Sequence, residues 1–168
     1  IGIDTILKTP GYLDPFGSTD IVGKVETSAV VDDALFFDIF TKHKYEMDIY
    51  DQTGRDLDKN PLGIDSDGDG VIDKGEVCWI TDAGLHLSGN SVSGGPGSIL
   101  VIDGTLRLTG TMDFTGIIWI TGNLTGQGNM IVHGSLFVEG NISLSGGNSH
   151  LYYDPDAIIA ALKLANPS

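Results

Sequence analysis

Between Asp65 and Glu76 the sequence reads Asp-Ser-Asp-Gly-Asp-Gly-Val-Ile-Asp-Lys-Gly-Glu, a spacing of oxygens that suits a large, hard cation. Asp65, Asp67 and Asp69 fall at alternate positions, so a curled backbone turns their carboxylates inward together. Gly70 permits the sharp reversal that follows, and Val71 offers a main-chain carbonyl. Asp73 would act through water, and Glu76 would close the shell with both oxygens. The expected ligands for Ca2+ are therefore Asp65, Asp67, Asp69, Val71, Asp73 and Glu76. Alternating aspartates alone could belong to a solvated turn; the aliphatic Ile72 and the closing Glu76 complete the pattern.

The loop is of the EF-hand type, but its flanks are not those of a helix-loop-helix sensor. Pro61 and Gly63 oppose an entering helix, and Val77-Cys78-Trp79-Ile80-Thr81 reads as a strand. With no helix pair to open, calcium is expected to act as a staple that ties the preceding region to the first strand. Extracellular modules of this kind bind at about 10⁻⁴ to 10⁻³ M.

Other chemistry finds little footing. The sequence contains no G-x-S-x-G elbow, no HExxH and no phosphate loop, and no enzymatic role is expected. The single cysteine, Cys78, has no disulfide or CxxC partner and reads as a small buried hydrophobe. His86, His133 and His150 fall at irregular spacing and read as strand or surface residues, and His43 as solvated. Polysaccharide-cleaving β-helices also combine calcium with stacked strands. Here, however, only Arg55 and Arg107 are available as a basic group. A formal charge of −14 repels phosphate backbones and anionic membrane surfaces, so nucleic acid is not an expected partner. No apolar run reaches the roughly 20 residues that span a bilayer. The chain begins at Ile1 rather than Met, which suggests a leader, an anchor or a longer upstream region.

The elements that must hold the loop divide the chain into four stretches. Residues 1–26, broken by Pro10, Gly11, Pro15, Gly17 and Gly23, read as an extended N-terminal arm. Residues 27–76 hold a helix from Thr27 or Ser28, with Val31, Leu35 and Ile39 on one face, and then the acidic calcium-loop region, where Asp48–Asn60 reads as a solvated loop. Residues 77–153 are short alternating strands. Residues 154–168 form a helix capped by Asp154, started by Pro155 and ended near Asn166-Pro167, which is expected to close one end of the strands.

Three strand segments follow one pattern: Ile102-Asp-Gly104-Thr-Leu106, Ile120-Thr-Gly122-Asn-Leu124 and Val132-His-Gly134-Ser-Leu136. Each puts an aliphatic residue two before a glycine and a leucine two after it, so both apolar residues share a face. Units this short bury a core only by stacking. The expected fold is mainly β: a short β-solenoid, or β-helix, of about four coils. An antiparallel sandwich is the competing arrangement.

The run Asp33-Ala-Leu-Phe-Phe-Asp-Ile-Phe, then Gly97-Ser-Ile-Leu-Val-Ile-Asp-Gly-Thr-Leu-Arg-Leu-Thr-Gly, Gly116-Ile-Ile-Trp-Ile-Thr-Gly-Asn-Leu-Thr and Tyr152-Tyr-Asp-Pro-Asp-Ala resembles the C-terminal region of PilX-type bacterial type IV pilus accessory proteins, over roughly residues 30–160. Bactofilin-like polymer-forming solenoids share the glycine-spaced repeat more loosely. The resemblance implies an extracellular or cell-surface β-solenoid that associates with pilus or filament subunits or with copies of itself. The apolar N-terminal helix by which pilin-like proteins enter a fibre is absent from this sequence. Readings left open are a self-polymerising solenoid fibre subunit and a carbohydrate-active β-helix enzyme.

Overall fold

The segments Ser98-Ile-Leu-Val-Ile and Gly116-Ile-Ile-Trp-Ile are near-continuous apolar runs, the signature of strands buried on both faces. Leu100, Ile102, Ile118 and Ile120 point into one core, while Ile99, Val101, Ile117 and Trp119 point the other way into a second. The architecture follows from this double burial.

The computed structural model describes residues 3–11, 13–15, 18–27, 29–57, 62, 69, 75–93, 95 and 97–166. They form strands β1 (Thr5–Lys8), β2 (Leu13–Pro15), β3 (Ser18–Val22) and β4 (Lys24–Glu26), then helices α1 (Asp33–Phe40) and α2 (Lys44–Met47). There follow β5 (Val77–Thr81), β6 (Leu85–Leu87), β7 (Asn90–Ser93), β8 (Ser98–Asp103), β9 (Leu106–Leu108), β10 (Thr111–Ile120), β11 (Leu124–Gly126), β12 (Asn129–Val138), β13 (Ile142–Leu144), β14 (Asn148–Tyr153) and helix α3 (Pro155–Ala165). The fold is mainly β, and all strand pairings among the described residues are parallel, which excludes the antiparallel sandwich.

One sheet has the order β3-β14-β12-β10-β8-β5, with β7 also beside β10 and with β1 joining β12 to β4; the other has the order β2-β13-β11-β9-β6. From β8 to β14 the chain alternates between the sheets and advances one strand at each pass. Residues that lie side by side on adjacent strands there are 18 apart, as with Ile102 and Ile120 or Leu124 and Ile142, and 19 apart between β12 and β14.

This stride corrects the alignment of the third repeat. Ile102 lies beside Ile120 and Leu106 beside Leu124, as the pattern predicts. Val132-His133-Gly134, however, lies beside Phe114-Thr115-Gly116, and the partner of Ile120 is Val138. The glycine column Gly104–Gly122–Gly140 stands at bends and the column Gly116–Gly134 within β10 and β12, yet both carry the same local pattern. A pattern search therefore merges them. Ile102, Leu106, Ile120, Leu124, Val132 and Leu136 still line one interior, because both columns flank it.

The N-terminal stretch is not an arm reaching away from the domain. β1 pairs with the second half of β12, β2 with β13, β3 with β14, and β4 with β1, so these four strands lay one further turn on the sheets. Ile6 and Leu7 are buried in the interior. Side chains fasten the turn: Ser135 Oγ donates to the Thr5 carbonyl at 2.6 Å, Thr9 Oγ1 to the Gly140 carbonyl at 2.7 Å, and Tyr153 Oη to the Ile3 carbonyl at 2.6 Å.

The helices also depart from expectation. α1 begins at Asp33 rather than near Thr27, because the Asp32 carboxylate accepts from Leu35 N–H at 3.0 Å and fixes the start as an N-cap. α3 has the expected bounds, with the Asp154 side chain accepting from Asp156 and Ala157 N–H. It closes no end of the sheets. Instead Ile158, Ala161 and Ala165 pack with Phe36 and Phe40 of α1 over Ile99, Val101, Ile117, Trp119 and Phe137, on the outer face of β8, β10 and β12. That face is too apolar to meet water, so both helices cover it. Trp119 is its centre: Phe36 meets it edge-on at 5.0 Å, Phe137 stacks on it at 5.1 Å, and its Nε1 donates to Glu139 at 2.8 Å.

At the opposite end of the sheets from β3, Asp51 bridges Trp79 of β5 and Gln52 N–H donates to the Trp79 carbonyl at 2.7 Å. Leu57 and Leu62 enter the interior core. The described part of the acidic stretch is thus docked on the first strand rather than solvated throughout. No helix of the described residues is long and apolar enough to cross a membrane.

Candidate metal centre

Of the six expected ligands, Asp65, Asp67, Val71 and Asp73 lie outside the described residues; Asp69 is exposed, and Glu76 leads directly into β5. The geometry around Glu76 bears on the loop. Its N–H donates to Ser98 Oγ at 3.3 Å and its carbonyl accepts from Ile99 N–H at 2.9 Å, so its backbone is bolted to β8. Ser98 Oγ in turn donates to the Gly95 carbonyl at 3.0 Å, and Gly95 N–H donates to the Leu62 carbonyl at 2.9 Å. The last ligand position of the loop is thereby fixed to the sheet and, through Gly95, to the segment that precedes the loop.

The Glu76 carboxylate is paired through Oε1 with Arg55 Nη1, the two side chains being 27% and 18% exposed. Arg55 is held in turn by its backbone, with N–H donating to the Gln52 carbonyl at 2.8 Å beside the bridge to Trp79. Nearby, Asp51 accepts from the Thr53 hydroxyl and from its N–H at 2.8 Å, and these bonds hold the Asp51 carboxyl below the usual carboxylate range. Burial pushes the Cys78 thiol up to about 11, against the pull of the Arg55 charge. Cys78 is wholly buried among the aliphatic side chains of the interior core.

The donors fit the chemistry of a hard cation: five carboxylates and a carbonyl, all oxygen, with the twelfth position rigidly placed. Arg55 opposes it. Bidentate use of Glu76 requires the oxygen that Arg55 now engages, and a guanidinium beside the site adds positive charge. This partner is invisible to motif reading, because it comes from 21 residues upstream and meets Glu76 only where the upstream segment docks on β5.

The histidines fall on separate elements. His43 precedes α2 between the rings of Phe37 and Tyr45, His86 on β6 meets Thr109 Oγ1 at 2.8 Å, and His133 and His150 stand on β12 and β14. Among the described residues no group of three or more histidine, cysteine, aspartate or glutamate side chains gathers to hold a metal. Comparison with protein-family models, with characterised proteins and with solved structures finds no match.

Proposed function

We propose that this chain is a calcium-stapled structural domain, a short β-solenoid of about four coils, that serves on the bacterial surface as part of a pilus or pilus-like filament. It works by assembly or adhesion with filament subunits and not by turnover. The observation that carries the reading is the anchoring of Glu76. A cation closed by this residue would join residues 65–76 to β5 and β8, at the end where Leu57 and Leu62 plug the interior. The parallel, 18-residue stride supports the solenoid, and the resemblance to PilX-type proteins supports the filament.

Self-polymerisation through the β2–β4 end is the weaker reading. Pro15 in the edge strand β2 has no N–H to offer, and the edge at β4 carries ion pairs of Lys24 with Glu26 at 2.6 Å and with Asp4 at 3.4 Å. Both features blunt strand edges.

Thermal unfolding with calcium and with chelator tests the staple. Calcium at 100 times Kd should stabilise the wild type by about 2.7 kcal/mol. Asp65→Ala and Glu76→Gln should lose that gain, and Arg55→Gln should enlarge it by releasing Glu76 from its ion pair. An unchanged calcium shift in both ligand variants would refute the site. Negative-stain microscopy bears on assembly: the purified chain should remain unpolymerised, and autonomous filaments would favour the fibre-subunit reading.

A further inference from the structure

On the outward face of β14, His150 and Tyr152 lie two residues apart, and β3 runs alongside with Asp20 directly opposite His150. Three donor atoms converge there. Tyr152 Oη is 3.2 Å from His150 Nδ1 and 3.2 Å from Asp20 Oδ2, and the last two are 3.9 Å apart. Ligands bound to a tetrahedral cation at about 2.0–2.2 Å stand roughly 3.3–3.6 Å from one another. The triangle has that size, and the only adjustment it needs is a shift of a few tenths of an ångström by the Asp20 carboxylate, whose side chain is 56% exposed.

We propose that His150, Asp20 and Tyr152 form a second metal site, for a zinc-class divalent cation, that clips the edge strand β3 to β14. The donor set is one imidazole nitrogen, one carboxylate oxygen and one phenol oxygen. That combination suits a borderline Lewis acid and not calcium, which takes oxygen ligands in larger number. The ion replaces the phenol proton now donated to Asp20, and that proton leaves to solvent. His133 supports the arrangement from the next strand: it lies in register with Tyr152, with ring centroids 5.0 Å apart, and fixes the phenol ring from the side away from β3. The site is open to solvent on its outer side, so the fourth position is available to water.

The location gives the clip its effect. β3 is the last strand of its row and has β14 as its partner, so a cation bridging the two pins the N-terminal turn to the rest of the sheet. The site shares no residue with the calcium loop and lies at the other end of the sheets.

Zinc is titrated calorimetrically into the full chain saturated with calcium, and thermal unfolding and hydrogen exchange are followed in parallel. The expected result is one equivalent of Zn2+ bound, a raised Tm, and slowed exchange along residues 18–22. His150→Ala and Asp20→Asn should each weaken binding at least tenfold, Tyr152→Phe less, and His86→Ala not at all. Two substitutions on opposite strands guard against a folding defect in either one. The proposal is overturned if the wild type takes up no zinc, if binding survives in His150→Ala and Asp20→Asn, or if it is lost in Glu76→Gln instead, which would assign the zinc to the loop.

Discussion

Deleting residues 1–26 is expected to convert the protein into an aggregating, weakly folded chain and not into a trimmed monomer. The segment supplies Ile6 and Leu7, which are 0% and 1% exposed in the interior. Burial of such side chains is worth about 1.5–3 kcal/mol each. Their removal also takes away the Thr5 carbonyl to which the Ser135 hydroxyl donates, a hydrogen bond worth about 0.5–1.5 kcal/mol net. Set against a total stability of about 5–15 kcal/mol for a typical domain, these losses are a large fraction. The cut further strips the partners from β13, β14 and the second half of β12, leaving bare parallel edges of the sort that recruit other chains. Light scattering on the eluted peak and circular dichroism through a thermal ramp would check this. A monodisperse monomer with an unchanged cooperative transition would show that the N-terminal turn is an ornament and not part of the core.

What the sequence made legible was local, and what it concealed was long-range. The bounds of α3 could be read because Asp154, Pro155 and Asn166 act within a turn or two of themselves. The aliphatic residues flanking Gly104 and Gly122 pointed correctly to a shared interior, since strand alternation needs no knowledge of the partner strand. The third unit slipped because Gly134 and Gly140 both present an aliphatic-x-glycine-x-aliphatic run, and register depends on which column each joins. The place of α3 is hidden for a different reason: it depends on the outer face of β8, β10 and β12. The doubly apolar runs at Ile99–Ile102 and Ile117–Ile120 carried that signal, because a solvated outer face would have alternated with polar residues. The apolar spacing runs back to Val31 and suggests an earlier start for α1, whereas capping by Asp32 decides it.

The candidate site divides the same way. The loop motif from Asp65 to Glu76 is contiguous, so its ligand types could be named from spacing. Arg55 could not be tied to Glu76, nor Asp20 to His150, until the fold brought residues 50–55 onto β5 and residues 18–22 onto β14. Lys44 shows the same dependence on the fold. Although burial works against its charge, Asp33 and Glu139 hold its amine above the usual lysine range, over the rings of Trp119 and Phe36. In sequence it is only a lysine following a helix.

Gly134→Ala is expected to be among the most damaging single-methyl additions in the chain, and two other glycines separate its causes. Gly134 has φ +144°, and a Cβ there would stand 1.8 Å from the carbonyl oxygen of Gly116 on the neighbouring strand. The backbone region alone costs a side chain about 1–3 kcal/mol. The contact adds to this, because the obstacle is main chain in a ladder whose strands lie about 4.8 Å apart and cannot part locally without breaking hydrogen bonds. Gly54 also has a positive φ, +88°, but nothing lies within 4 Å of its added Cβ, so Gly54→Ala should show the conformational cost without the clash. Gly84 has neither a φ in the restricted range nor a neighbour within 4 Å, so Gly84→Ala should be neutral or stabilise by up to about 1 kcal/mol through the unfolded chain. Urea midpoints should therefore fall in the order Gly84→Ala, Gly54→Ala, Gly134→Ala, with the last chain unfolded or nearly so in buffer. Equal midpoints for the Gly54 and Gly134 variants would mean that the strands at the Gly116–Gly134 column do not approach as closely as 18-residue stacking requires.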